Sequence, residues 1–503
     1  MNYYSLLHNS PKTTFKNAVV NGIAPDRGLY FPENIAPLSK HFIDHISEYT
    51  NHEIAFEVIK QFVGDEIPEE KLKEIIAKTA SFDFPTVKVD DNIASLELFH
   101  GPTMAFKDVG AKFMAQCLEY FNKDNDDEVT VLVATSGDTG GAVANGFLGT
   151  KGVNVVILYP SGKVSDIQEK QLTTLGQNIK ALEVDGVFDD CQEMVKTAFL
   201  DKEITKTLTS ANSINVARWL PQMFYFFFAY KALKKQNKPL VFSCPSGNFG
   251  NICAGIIAKK MGLPIAHFVA STNVNDTVPR FLTNGIYDPK PSIATISNAM
   301  DVGNPSNFIR IQEMYQNDLE QFKTDFSSYT FSDQATLEAM KSIYETNEYI
   351  AEPHGAVGYL GLKKELENHS DAIGIFLETA HPIKFLDVVE PALQIKLPIP
   401  SQIESVLNKE KISTKIKNYD DYTSNWYEAT NFTYAAKNPG TWANGLKVCF
   451  IDNFADQTIG IATTSLGTLG ATIGFGVTAS LSNLIIPGAG TTSVFNGYLK
   501  GII

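Results

Sequence analysis

Residues 240–251, LVFSCPSGNFGN, run from a short, mostly apolar stretch into a turn broken by two glycines. A run of this kind without polar alternation reads as a strand buried on both faces, and the turn reads as its passage into a helix over 252–260. Glycines let backbone N–H groups close on an anion, and a helix N-terminus favours negative charge there. The loop Ser246-Gly247-Asn248-Phe249-Gly250 lacks the lysine of a P-loop, so a bound cofactor phosphate suits it better than phosphoryl transfer. Without a ligand it is a tight turn. The pattern recurs upstream, where Val129–Ala134 enters Thr135-Ser136-Gly137-Asp138-Thr139-Gly140-Gly141 and a small-residue helix is predicted from Ala142. Further strands are predicted at 154–158, 265–270 and 372–377. Strands alternating with helices imply parallel sheets covered on both faces, an α/β architecture whose ligands bind at the carboxyl ends of strands. The two glycine-rich loops and Glu378-Thr379-Ala380-His381-Pro382 all fall at such ends, which points to one site.

Each loop leaves choices open. The 135–141 loop suits a carboxylate, held by hydroxyls and backbone donors; it is not GxGxxG, which disfavours a nicotinamide-binding reading. Thr379 either faces a ring nitrogen or caps a turn, and His381 is structural or catalytic. Residues 98–112, LFHGPTMAFKDVGAK, set Lys107 among apolar and small neighbours, beside Phe106. A lysine in an apolar pocket loses hydration, gives up its proton more readily and becomes a candidate nucleophile. The same residues also fit a surface lysine opening a helix, with Asp108 near its start and Phe113, Met114 and Leu118 along one face.

The chain has 503 residues, which suggests about two to four domains. Hydrophobic content of 44% and charged content of 19% describe a globular protein with a large core. A formal net charge of -14 argues against a general nucleic-acid or anionic-membrane binder, while leaving room for an anionic small substrate in a local basic pocket. The N-terminal MNYYSLLHNS has no signal-peptide pattern, and the five cysteines form no CxxC, so a cytoplasmic location is expected. No HExxH or comparable spacing occurs among the histidines, and no metal site is expected. Over 1–80 a turn around Leu29-Tyr30-Phe31 precedes helical spacing from 42 to about 63 and a second helix after Pro68, a helical layer that names no chemistry by itself.

The motifs HGPTMAFKD, TSGDTG, NSINVARWLPQ, PSGNFGN, STNVNDTVPRFL, MDVGNPSNF, EPHGAVG and ETAHPIKF, in this order, resemble the threonine synthase family across about residues 1–422. Gly28-Leu29-Tyr30-Phe31-Pro32 is similar too, with Arg27 where a glycine is commoner in that family. The resemblance implies pyridoxal phosphate fold type II: parallel sheets flanked by helices in two lobes, behind a helical N-terminal layer. It implies conversion of O-phospho-L-homoserine and water to L-threonine and phosphate, by a monomer or homodimer that needs no nucleic acid or membrane. On that footing Lys107 carries pyridoxal phosphate covalently and shuttles protons. Gly247, Asn248, Phe249 and Gly250, with Asn251 adjoining, cradle the cofactor phosphate, and Thr379 faces the pyridine nitrogen. Ser136, Gly137, Asp138 and Thr139 receive the substrate carboxylate, and Asn215 and Arg218 lie near the substrate phosphate. A sister fold type II enzyme, such as a threonine or serine dehydratase or a sulfhydrylase, is the alternative.

The expected regions are 1–80, a catalytic 81–422, and an extra tail over 423–503. No charged residue occurs from Gln457 to Leu499, where Gly, Thr, Ser and Ala dominate. That density of small polar residues argues against a transmembrane helix and for a β-rich or poorly ordered segment. Residues 434–448, YAAKNPGTWANGLKV, resemble a segment of contractile phage tail-sheath proteins. A tail-driven structural or assembly protein is therefore the distant alternative.

Overall fold

The computed structural model describes residues 1–123, 128–201, 203, 204 and 206–417. The 423–503 tail and its sheath-like segment lie outside the described residues. Residues 1–183 and 206–414 form one compact unit; the second unit includes residues 184–205, where a helix spans Phe188–Leu200.

The chain opens with three short antiparallel strands, β1 (Asn2–Ser5) between β2 (Thr13–Thr14) and β3 (Tyr30–Pro32). The helical run expected from 42 to about 63 is broken. A first piece spans Lys40–Asp44 and the main helix is Asn51–Val63. The break comes from Thr50, whose side chain accepts the Glu53 amide while Glu53 accepts the Thr50 amide, a reciprocal cap that starts a new helix whatever the apolar spacing says. The helix Glu69–Thr79 follows Pro68 as expected. Arg27 has φ +69°, which explains why a glycine suits that position better.

The main sheet has the order β12-β11-β10-β13-β5-β4. Its strands are β4 (Thr86–Lys88), β5 (Ile93–Glu97), β10 (Leu240–Pro245), β11 (His267–Thr272), β12 (Phe326–Thr330) and β13 (Ile373–Glu378). All pairings are parallel except β4 with β5. Register sets Glu378 beside Glu97 and Pro245 beside Ser271, so the loops after β5, β10 and β13 leave one edge together. In a second sheet β8 (Ile179–Val184), β7 (Val153–Pro160), β6 (Val129–Ala134) and β9 (Thr207–Ser210) lie side by side, with β6 parallel to both neighbours. The strands β10 and β13 are buried at every position, as their mostly apolar runs suggest. Among the described residues no helix is long and apolar enough to cross a membrane.

Candidate active site

Lys107 is the first residue of the helix Lys107–Asn122. The segment before it is clipped to the loop after β13: Ala105 bridges Ala380, Phe106 donates its amide to the Thr379 carbonyl at 2.8 Å, and His381 donates to the Met104 carbonyl at 3.1 Å. Tyr225 donates its hydroxyl to the Phe106 carbonyl at 2.6 Å, and Asp108, buried, accepts the Thr103 amide at 2.9 Å. The Lys107 ammonium lies 5.4 Å from the Phe106 ring centre and has no hydrogen-bond partner among the described residues. Burial pulls the amine down from 10.5 to about 8; Asp138 and Glu352 oppose the shift, whereas Lys384 and Arg218 add to it. The surface-lysine reading is thereby set aside: the side chain is confined, and its amine sits close to neutrality.

The loop after β10 is a cradle. Phe249 has φ +61° and precedes the helix Gly250–Lys260, which begins two residues earlier than the sequence suggests. A Cβ on Gly247 would lie 2.7 Å from the Ala299 carbonyl oxygen and 2.8 Å from the Met300 Cα, so only glycine lets the loop pack there. Asn248 is engaged on both sides of its amide, donating to Ser213 at 3.0 Å and accepting the Ser306 amide at 2.6 Å. Asn251 folds back on its own loop, donating to the Pro245 carbonyl at 2.8 Å and accepting the Ile252 amide. These side chains hold the loop's shape, while the amides of Gly247, Asn248, Phe249 and Gly250 have no acceptor among the described residues. Four unpaired amides at a helix N-terminus suit a phosphate, so the cradle fits pyridoxal phosphate.

Thr379, buried, donates its hydroxyl to Glu352 at a long 3.5 Å. Glu352 caps the helix Pro353–Leu366, accepting the Gly355 amide at 3.0 Å and the His354 amide at 2.9 Å. The His354 Nδ1 lies 2.6 Å from Glu352 Oε2, and its Nε2 accepts the Ala299 amide at 3.1 Å, so Nδ1 carries the proton and donates it to the carboxylate. A continuous path thus runs from the Gly247 cradle through Ala299, His354 and Glu352 to Thr379. His381 caps a short turn by accepting the Ile383 amide at 3.0 Å and packs edge-on against Phe99, the structural of its two readings.

Beside this path lies Glu378, whose carboxylate oxygens are buried without a well-formed hydrogen bond. Burial first, then the charges of Glu352 and Glu97, push its carboxyl well above the ordinary 4.5. A carboxyl raised in the fold lends stability that is fully present below its unfolded value and is lost as pH rises through the raised one. Glu378→Gln is uncharged at every pH. Its thermal midpoint relative to the natural chain is therefore expected to climb as pH rises from about 5 to about 8. A difference that stays flat over that range would show that Glu378 holds no proton in the fold.

The loop after β6 begins its helix at Asp138 rather than near Ala142, because the Thr135 hydroxyl accepts the amides of Gly137 and Gly140 at 2.9 and 2.8 Å. Ser136 and Thr139 are partly exposed, with no hydroxyl partner among the described residues. Asp138 does not point its charge at an open space. It pairs with Lys384 at 2.6 Å, both side chains buried, and accepts from Gln168 at 2.8 Å. Burial pushes its carboxyl up, but Lys384, Lys107 and these hydrogen bonds outweigh that and hold it at about 2. Both Asp138 contacts are thus internal to the fold, one to Lys384 and one to Gln168. Lys384 also donates to the Thr103 carbonyl at 2.9 Å, tying it to the segment before Lys107.

Asn215 is fully buried and engaged: it donates to the Val19 carbonyl at 2.8 Å and accepts the Ala217 amide at 3.0 Å. Arg218, 2% exposed, donates to the Ala211 carbonyl, and its Nε is buried with no partner. The site therefore brings together Lys107, the 247–250 amides, Thr379, Asp138 and Arg218, whereas Asn215 and Asn251 support it from behind. Glu352, His354, Glu378 and Lys384 were not expected. The only sequence signal for them is an acidic residue before Pro353, which fits a helix start, and a basic residue just past the His381-Pro382 turn.

Comparison with known proteins gives matches along most of the chain. Residues 2–80 match the family model described as threonine synthase N terminus, 86–377 that of pyridoxal-phosphate dependent enzyme, and 355–424 that of threonine synthase, C-terminal. A threonine synthase of Haemophilus influenzae is 46% identical over 407 residues, covering 80% of this chain and 94% of the relative. The solved threonine synthase of Escherichia coli has a TM-score of 0.80 at 41% identity, covering 86% of this chain and 100% of that one. A pyridoxal-phosphate-bound threonine synthase of Brucella melitensis has a TM-score of 0.79 at 32% identity, covering 85% and 98%.

Proposed function

The chain belongs to the threonine synthase family, pyridoxal-phosphate-dependent lyases that make L-threonine and phosphate from O-phospho-L-homoserine and water, and from that premise we propose how its residues divide the work. The single observation that carries the assignment is Lys107, an amine brought down to about 8 with no hydrogen-bond partner among the described residues. Lys107 holds the cofactor; the amides of Gly247, Asn248, Phe249 and Gly250 hold its phosphate, and Thr379 meets its ring nitrogen. When bound, pyridoxal phosphate withdraws electrons from the substrate carbons, easing loss of their protons. With its amine free, Lys107 would take the substrate Cα proton and return one at Cγ.

Ser136 and Thr139 receive the substrate carboxylate through their hydroxyls, with Gly137 holding the turn between them, while Asp138 keeps Lys384 in place and tempers the Lys107 amine. Arg218 offers its unpaired Nε to the substrate phosphate, and a guanidinium suits that oxyanion. Asn215 acts through the helix start that carries Arg218. In this reading the catalytic region runs over 81–422, behind a 1–80 layer, the boundary falling between the end of the helix Glu69–Thr79 and the start of β4; 423–503 is an added tail. The free cysteines Cys117, Cys191, Cys244 and Cys253 accord with a cytoplasmic enzyme, acting as a monomer or homodimer.

Cofactor capture needs the neutral amine, so it reports Lys107 directly. The rate at which the apoenzyme takes up pyridoxal phosphate is expected to rise with pH through a midpoint near 8. A midpoint at the ordinary lysine value of 10.5 would remove Lys107 as a desolvated, poised amine.

A further inference from the structure

His267 opens β11, Glu365 lies in the last turn of the helix Pro353–Leu366, and His369 lies in the turn that follows. One ligand atom from each lies within 4.8 Å of the others. The His267 Nε2 is 3.8 Å from one Glu365 oxygen, and the His369 Nε2 is 3.4 Å from the other. Two ligands at about 2.1 Å from a tetrahedral zinc ion sit about 3.4 Å apart; the His369 separation matches this, and that of His267, to the other carboxylate oxygen, is slightly longer. The third closes by rotation of His369, whose side chain is 31% exposed and gives an ion its way in.

Two observations distinguish this cluster from an ordinary ion pair. The His267 side chain is 7% exposed, yet its Nε2 has no hydrogen-bond partner and lies 3.8 Å from the Glu365 carboxylate. The surroundings are also those of metal ligands. The Thr324 backbone lies against the His267 ring, and one Glu365 oxygen receives the hydroxyls of Ser327 at 2.5 Å and Tyr329 at 2.8 Å. Such contacts fix the orientation of a ligating imidazole and carboxylate.

We propose that His267, Glu365 and His369 form a zinc site, with a water completing the tetrahedron, that fastens the start of β11 to the helix Pro353–Leu366. Two imidazoles and one carboxylate favour zinc over the harder magnesium or calcium. Glu352 lies at the other end of the same helix, about 20 Å away along its axis, so the site is separate from the catalytic one. No spacing motif announces it, because His267 comes from a different element far back in the chain.

The test uses untagged holoenzyme stripped with a chelator and titrated with zinc sulfate, with and without His369→Ala. The natural chain is expected to bind one tight equivalent and to melt at a higher temperature with zinc than without. His369→Ala is expected to lose at least about 100-fold in affinity, and the melting shift with it, at unchanged turnover. Glu365→Gln should weaken binding in the same way. Zinc bound equally well by His369→Ala, or no saturable site in the natural chain, would overturn the proposal.

Discussion

Lys107→Ala is expected to release threonine and phosphate at least about 1000-fold more slowly than the natural enzyme, because one amine both anchors the cofactor and carries protons between substrate carbons. No neighbour can take its place. Lys384, the other buried amine of the site, is fixed by Asp138 at 2.6 Å and by the Thr103 carbonyl at 2.9 Å. Lys112 is on the same helix, but its ammonium is bound to Ser81. The variant should keep its fold, since the Lys107 ammonium makes no hydrogen bond among the described residues. Following both products at once, with a melting curve as control, separates lost chemistry from lost structure. Normal turnover in a folded Lys107→Ala would end the assignment.

Lys384→Met should act on stability as well as on rate. It leaves the buried Asp138 without its direct ion-pair partner, keeping only the Gln168 amide and the more distant Lys107 charge, and breaking a buried pair costs up to about 3–5 kcal/mol. Asp138 is a depressed carboxyl, so the stability it lends is present above the unfolded value of 3.8 and lost as pH falls through about 2. Without Lys384 that depression fades, and the deficit of the variant should be widest near neutrality and narrow in acid. Urea unfolding at the two pH values measures this, and Asp138→Asn on top of Lys384→Met should recover part of the loss. A single variant as stable as the natural chain at neutral pH would mean that the pair contributes nothing net.

Much of this architecture is legible along the chain, and the parts that are not have a common cause. β10 and β13 are buried on both faces, so their apolar runs stand out and place the loops at 246 and 379 on one edge. Lys107 is visible because its neighbours are apolar. β12 carries Ser327, Ser328 and Thr330 at an edge position, where no apolar run is needed, and it passes unnoticed. The helix breaks at Thr50 and Asp138 follow side-chain hydrogen bonds that override periodicity. Glu352, His354, Glu378 and Lys384 also depend on groups distant in the chain, among them Thr379, Ala299, Glu97 and Asp138, so the local signals at Pro353 and after Pro382 do not reveal what they do. Asp138 shows the opposite limit: its motif is plain, but only the contact with Lys384 tells which charge it serves.

The small bridge between Ala105 and Ala380 has a bearing on how the molecule comes into being. During synthesis Lys107 leaves the ribosome early, while the loop that clasps the segment before it is among the last parts of the catalytic region to emerge. Until then a nascent chain can order its N-terminal helices, but its reactive amine remains hydrated, with an ordinary lysine's affinity for protons. Joining segments so remote in sequence is slow by its nature. The amine therefore becomes reactive only on a chain that is nearly complete, which spares truncated products from capturing a cofactor they cannot use.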